Sequence, residues 1–139
     1  MPQKPFGLAV KAVIVDETGR SLLIRRSRAN KNFVGRWEWP GGKSDPGEPF
    51  DAALRREVFE ETGLEVEITG VVGAMDYEMP KVHVVLLCME TRVVGGELRL
   101  SEEHDEHAWI PFAEYPRTAL VENIGPFMLD YAARKGTKK

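Results

Sequence analysis

Apolar positions along the chain fall into short runs separated by turn residues. Leu8 to Val15 is apolar and β-branched, Asp16-Glu17-Thr18-Gly19-Arg20 reads as a turn, and Leu22 to Ile24 resumes the pattern. These two runs are expected to pair as strands. Ser27 to Arg36 is polar and carries Asn30, Asn32 and Gly35, which predicts a loop. Trp37-Glu38-Trp39 is a short aromatic strand stopped by Pro40-Gly41-Gly42. Lys43 to Gly47 is turn-like, and Pro49 suits the first position of a helix with Glu48 just before it. That helix should run to about Thr62, where Gly63 supplies the stop. Val66 to Ala74, Val82 to Val94, Leu98 to Leu100 and His107 to Ile110 read as further strands, and Glu122 to Arg134 as a closing helix. The basic tail Lys135 to Lys139 is expected to fray. Strands and two helices interleave without a regular βαβ rhythm. The expected fold is therefore α/β of the α+β kind, a mixed β-sheet sandwiched between α-helices, in one domain over 1–139.

Composition narrows the function classes. With 139 residues, 42% hydrophobic and 29% charged, the chain suits one soluble globular domain with its own core. A formal charge of -3 without a basic run argues against binding polymeric nucleic acid. A small anionic ligand stays compatible, because one metal or cation can overrule a weak net charge locally. Cys88, the single cysteine, lies in the apolar run Val84 to Met89 and reads as a buried core thiol. No apolar stretch reaches the ~18–20 residues needed to span a bilayer. Met1 to Phe6 lacks the apolar region of a signal peptide. A cytoplasmic setting without membrane contact is the expectation.

The chemically informative segment is the helix. Glu57, Glu60 and Glu61 stand at i, i+3 and i+4, so they share one helix face. Towards the N-terminus the same stripe meets Phe50, Ala53 and Leu54, which are apolar. The carboxylates thus continue a stripe that should face the protein. Half-buried carboxylates need a cation, and oxygen donors at this spacing suit a hard divalent ion. Magnesium is favoured over calcium because it shares its shell with phosphate oxygens and water. Pro40-Gly41-Gly42-Lys43 adds small residues that allow close backbone approach, beside a cation.

The order Gly42, five residues, Glu48, seven residues, Arg56-Glu57-Val58-Phe59-Glu60-Glu61-Thr62-Gly63-Leu64 resembles the Nudix box at every defined position over 42–64. The lead-in Trp37 to Lys43 and the total length are similar to the family as well. The resemblance implies the Nudix fold and a Mg2+-dependent (or Mn2+-dependent) pyrophosphatase acting on a small nucleotide. It implies that Glu57, Glu60 and Glu61 bind the metal with the Gly41 carbonyl. Glu48 is implied as an additional carboxylate, a ligand through water or a group behind the ligands. Arg56 is expected to hold Glu57 through a charge-assisted hydrogen bond. Members of the MutT type place a candidate general base on a loop outside the box. Here Glu103 is chosen by its offset to Trp109, with Glu102 and Glu106 as fallbacks. Arg26 and Lys43 are candidate phosphate clamps. Arg25 is the other cation on that strand end, and strand alternation lets only one of Arg25 and Arg26 face the site. His83, His104 and His107 form no metal-ligand spacing. Trp37 and Trp39 suit core packing better than base stacking.

The substrate is read less narrowly. The short chain and the Arg25-Arg26 strand end resemble MutT-type nucleoside triphosphate diphosphatases. Asn123, near the start of the last helix, matches a base-reading asparagine of some of them. Pro80, sixteen residues beyond Leu64, resembles a marker of ADP-ribose hydrolases and keeps ADP-ribose or a nucleotide sugar as the competing substrate. A non-catalytic nucleotide sensor would be expected to have lost box carboxylates, and none is lost here. A homodimer stays open.

Overall fold

The computed structural model describes residues 4–136. Residues 137–139 of the tail expected to fray lie outside them, while Lys135 and Gly136 end the last helix. Two sheets divide seven strands. The first has the order β4 (Gly41–Lys43), β1 (Phe6–Ile14), β6 (His83–Gly96), β5 (Leu64–Glu78). The second has the order β3 (Trp37–Glu38), β2 (Arg20–Arg26), β7 (His104–Pro111). Helix α1 covers Phe50–Thr62, a 3-10 turn covers Phe112–Arg117, and α2 covers Gly125–Gly136. The first sheet is mixed, since β1 runs parallel to β6 and antiparallel to β4.

Burial explains the layering. Ala9 and Val13 of β1 join Trp39, Leu86, Tyr115, Ile124 and Met128 in one core. Val10, Ala12 and Ile14 join Leu22, Ile24, Ala53, Leu54 and Val58 in the other. Alternate residues of one strand thus feed two cores, one lined by α2 and one by α1.

Four expectations need correction. β1 and β2 do not form a ladder with each other; they sit in different sheets and meet only at the bridge Val15↔Ser21. Both strands are buried on both faces, so each needs cover on two sides and the turn carries the chain from sheet to sheet. Pro40-Gly41-Gly42 does not simply stop a strand, because Gly41–Lys43 pairs with β1 as β4. Leu98 to Leu100 is not a strand. The N–H groups there serve the end of α1 instead, Arg99 N donating to the Thr62 carbonyl at 2.7 Å and Ser101 N to the Glu61 carbonyl at 3.2 Å. The acidic loop before Trp109 is shorter than expected, since β7 already begins at His104.

Helix α1 starts after Pro49, which lies one residue outside it with extended backbone. It ends at Gly63, whose φ of 74° puts it in the left-handed region. A Cβ on Gly63 would stand 2.3 Å from the Glu97 carbonyl oxygen, so this residue is demanded twice.

Candidate active site

The acidic stripe of α1, strand β4 and the loop before β7 enclose one cavity of about 790 Å3. Glu57, Glu60 and Glu61 line one wall with Gly41, Gly42 and Lys43. Lys11, Arg26, Glu38, Glu103, His104 and Asn123 are among the residues that line the other sides, together with Phe33, Tyr77, Met79 and Pro80.

Arg56 organises the outer part of the stripe. Its Nη1 donates to Glu57 Oε2 at 2.8 Å and to Glu60 Oε1 at 3.2 Å. Nε and Nη2 hold the two oxygens of Glu48 at 2.8 and 2.9 Å. The expected Arg56–Glu57 contact is therefore present. Glu48 is placed differently from a ligand: both oxygens are turned to Arg56, and the residue does not line the cavity. These hydrogen bonds, with that from the Asp45 N–H, hold its carboxyl down at about 2. Glu48 thus acts on the stripe by fixing Arg56.

Glu61 is the inner carboxylate, 8% exposed, and accepts a hydrogen bond from Gly41 N at 2.9 Å. Burial raises its carboxyl to about 7 against the pull of Lys11, His104 and that N–H. Burial likewise raises Glu57, although Arg56 opposes it. A Cβ on Gly42 would stand 2.1 Å from Glu57 Oε1, so the glycine makes the space that this carboxylate fills. Among the described residues, no three acidic, His or Cys side chains are drawn together around one point. The donor set nevertheless fits a hard divalent cation: one buried, one half-buried and one exposed carboxylate reach the cavity beside a glycine backbone. Because Glu61 is raised, cation binding at pH 6 is expected to displace a proton, and affinity should fall as pH drops through 7. Calorimetry in buffers of different ionisation heat reads this directly; equal heats at pH 6 would remove Glu61 from the ligand set.

The two adjacent arginines separate as alternation required. Arg26 faces the cavity, donating from Nη1 to Glu38 Oε2 at 2.9 Å. Arg25 turns away to Asp105 at 2.8 Å and Glu106 at 3.3 Å, and stacks over Trp37. Glu106 is thereby occupied, and Glu102 does not line the cavity, whereas Glu103 does. The Glu103 carbonyl is fixed by Ser27 N at 2.9 Å and Asn30 Nδ2 at 2.6 Å. Asn123 lines the cavity and accepts from Ile124 N at 3.0 Å. Trp39 is fully buried, as core packing requires, and Cys88 is buried too.

Three residues at this site escaped the sequence reading. Glu38 is buried and receives Lys11 Nζ at 3.2 Å and His104 Nε2 at 2.9 Å besides Arg26. A signal existed for two of them, since Lys11 is the one charge inside Leu8 to Val15 and Glu38 the one between two tryptophans.

A family profile described as the NUDIX domain matches residues 5–131. The chain belongs to the Nudix family. It is 37% identical over 111 residues to the human 8-oxo-dGDP phosphatase NUDT18, covering 80% of this chain and 32% of that protein. It is 31% identical over 109 residues to the ADP-ribose pyrophosphatase of Methanocaldococcus jannaschii, covering 77% of this chain and 63% of the relative. The chain thus spans less than two thirds of the length of either curated relative. Among solved structures, the MutT protein from Methanosarcina mazei Go1 superposes with a TM-score of 0.84 at 29% identity, covering 99% of this chain and 100% of that one. The mixed sheet flanked by α1 and α2 is therefore the Nudix fold, with the MutT-like architecture that the sequence suggested. No helix among the described residues is long and apolar enough to cross a membrane.

Proposed function

We propose that this Nudix chain is a Mg2+-dependent (or Mn2+-dependent) pyrophosphohydrolase that cleaves a nucleoside triphosphate, normal or oxidised, to the monophosphate and pyrophosphate. The observation that carries this reading is the convergence of Glu57, Glu60, Glu61, Arg26, Lys43 and Glu103 on one cavity. A divalent metal, when bound, neutralises charge on the phosphoryl group and acidifies a water. The chain's own residues supply the rest. Gly41 N–H and Arg56 fix Glu61 and Glu57, Arg26 and Lys43 face the phosphates, and Asn123 faces the nucleoside. Glu103 accepts the proton of the attacking water. The new bond joins that water oxygen to phosphorus, the bridging P–O bond breaks, and pyrophosphate leaves.

ADP-ribose is the second reading, supported by Pro80 and Met79 in the cavity wall and by the archaeal relative's name. A panel of normal and oxidised nucleoside triphosphates, 8-oxo-dGDP, ADP-ribose and nucleotide sugars, scored by mass spectrometry with Mg2+, separates them. Monophosphate plus pyrophosphate from a triphosphate is expected, with Glu60→Gln and Glu103→Gln strongly impaired. Faster cleavage of ADP-ribose transfers the case to the second reading. Tight binding without turnover would make the chain a sensor.

A further inference from the structure

Glu38 stands on the cavity floor with more positive charge around it than it can neutralise. Its Oε1 accepts from Lys11 and its Oε2 from both Arg26 and His104. Burial works against the charge on Lys11, yet Glu38, with Glu61 behind it, more than offsets this and the net shift is upward. Despite its own burial, Glu38 is held at about 2 by Lys11, His104 and Arg26. Two lasting cations therefore bond to one carboxylate in a half-buried place, which leaves room for a further anion to bond with them. Glu61 also attracts Lys11 and His104 through space, but burial raises its carboxyl, and its hydrogen bond comes from Gly41 N rather than from either of them. Glu57 and Glu60 contact Arg56 on α1, and none of the others bonds to Lys11 or Arg26.

Donor capacity tells the same story. Lys11 Nζ spends two of its three N–H groups, on Glu38 and on the Trp39 carbonyl at 3.0 Å. Arg26 uses Nε on the Asn32 carbonyl and Nη1 on Glu38, leaving Nη2 uncommitted. His104 Nδ1 is the one buried side-chain polar atom among the described residues with no hydrogen-bond partner. Buried polar groups are normally paired, so an orphan beside a cavity marks the place of a missing ligand atom. All three residues line that cavity.

We propose that Lys11, Arg26 and His104, held together by Glu38, form a metal-independent subsite for a phosphate group of the nucleotide, separate from the cation positions on α1. The inference rests on the reading of this cavity as a nucleotide site and gives it a second anchor. A phosphate offers several acceptor oxygens, enough for the Lys11 N–H, for Arg26 Nη2 and for His104 Nδ1 acting as a donor. The floor holds the phosphoryl chain from the sheet side while the acidic stripe addresses it from the helix side.

The test is calorimetry on the full chain in EDTA, titrated with pyrophosphate, inorganic phosphate, GMP and guanosine. Pyrophosphate and GMP are expected to bind the metal-free protein, and guanosine to bind at least tenfold more weakly. Lys11→Met should weaken pyrophosphate and GMP at least tenfold. Arg26→Gln, on a more exposed side chain, should do likewise and keeps the test decisive if Lys11→Met does not fold. Guanosine binding as tightly as GMP would move the acceptor to a base carbonyl and overturn the proposal, as would undiminished binding by both variants. No metal or turnover enters this measurement. Hydrolysis without metal-free anion binding therefore overturns the subsite alone, and anion binding without hydrolysis overturns the pyrophosphohydrolase reading alone.

Discussion

Glu61→Gln is expected to lower Mg2+-dependent turnover by roughly 10²–10³-fold or more, as loss of a charged group that stabilises the transition state does. The same change should leave the metal-free protein at least as stable as the parent at pH 8. In the folded chain Glu61 is raised from 4.5 to about 7 by burial. A group raised on folding gives stability that is full below the unfolded value and is lost as pH climbs through the folded one. Above pH 7 the buried carboxylate is therefore a burden, on the order of 3 kcal/mol as an upper figure. Glutamine keeps an acceptor for the Gly41 N–H without that charge. Thermal denaturation in EDTA should show the variant melting several degrees higher at pH 8, with the gap closing towards pH 5. Near-parental turnover would end the metal role of Glu61, and a lower melting point at pH 8 would contradict the electrostatic account.

Trp39→Ala is expected to be the most destabilising single truncation in the aromatic core. Trp39 is fully buried, and its Nε1 donates to the Tyr115 hydroxyl at 2.7 Å. It also meets Phe127 and Tyr131 edge-on, with ring centroids 6.4 and 6.0 Å away. Truncation leaves a large cavity and removes one partner of a buried hydroxyl, so about 3–5 kcal/mol is lost. For a chain of this size that lowers Tm by about 10–20 °C. The damage should reach the site as well, because the Trp39 carbonyl is one of two acceptors for the half-buried Lys11 ammonium. A scanning calorimetry shift of less than 3 °C would show that Trp39 does not hold this core together.

The elements that carry the site were legible because their signals are local. Gly63 after a helical run, and glutamates at i, i+3 and i+4, need no knowledge of distant residues. That only one of Arg25 and Arg26 faces the cavity followed from strand alternation, and the structure makes it Arg26. What stayed hidden depends on long-range partners. Arg99 looks like the middle of a strand until the Thr62 carbonyl claims its N–H group. Glu38, Lys11 and His104 are unremarkable charges in three separate elements, and only the meeting of β1, β3 and β7 turns them into a network. Glu48 shows the converse: its place in the box was plain, while the direction of its oxygens depended on the reach of Arg56.

The parallel pairing of β1 with β6 joins Phe6 to His83 and Ile14 to Thr91. During synthesis the first strand leaves the ribosome long before the segment that must lie beside it. At ~5–20 residues per second, the wait lasts for several seconds or more. Through that interval β1, whose Val10, Ala12, Val13 and Ile14 are all buried in the finished protein, leaves unpaired the backbone edge that β6 will cover. β4 can pair with β1 as soon as Lys43 has emerged, but it lies on the opposite edge, so the side that receives β6 stays open until Thr91 has been made.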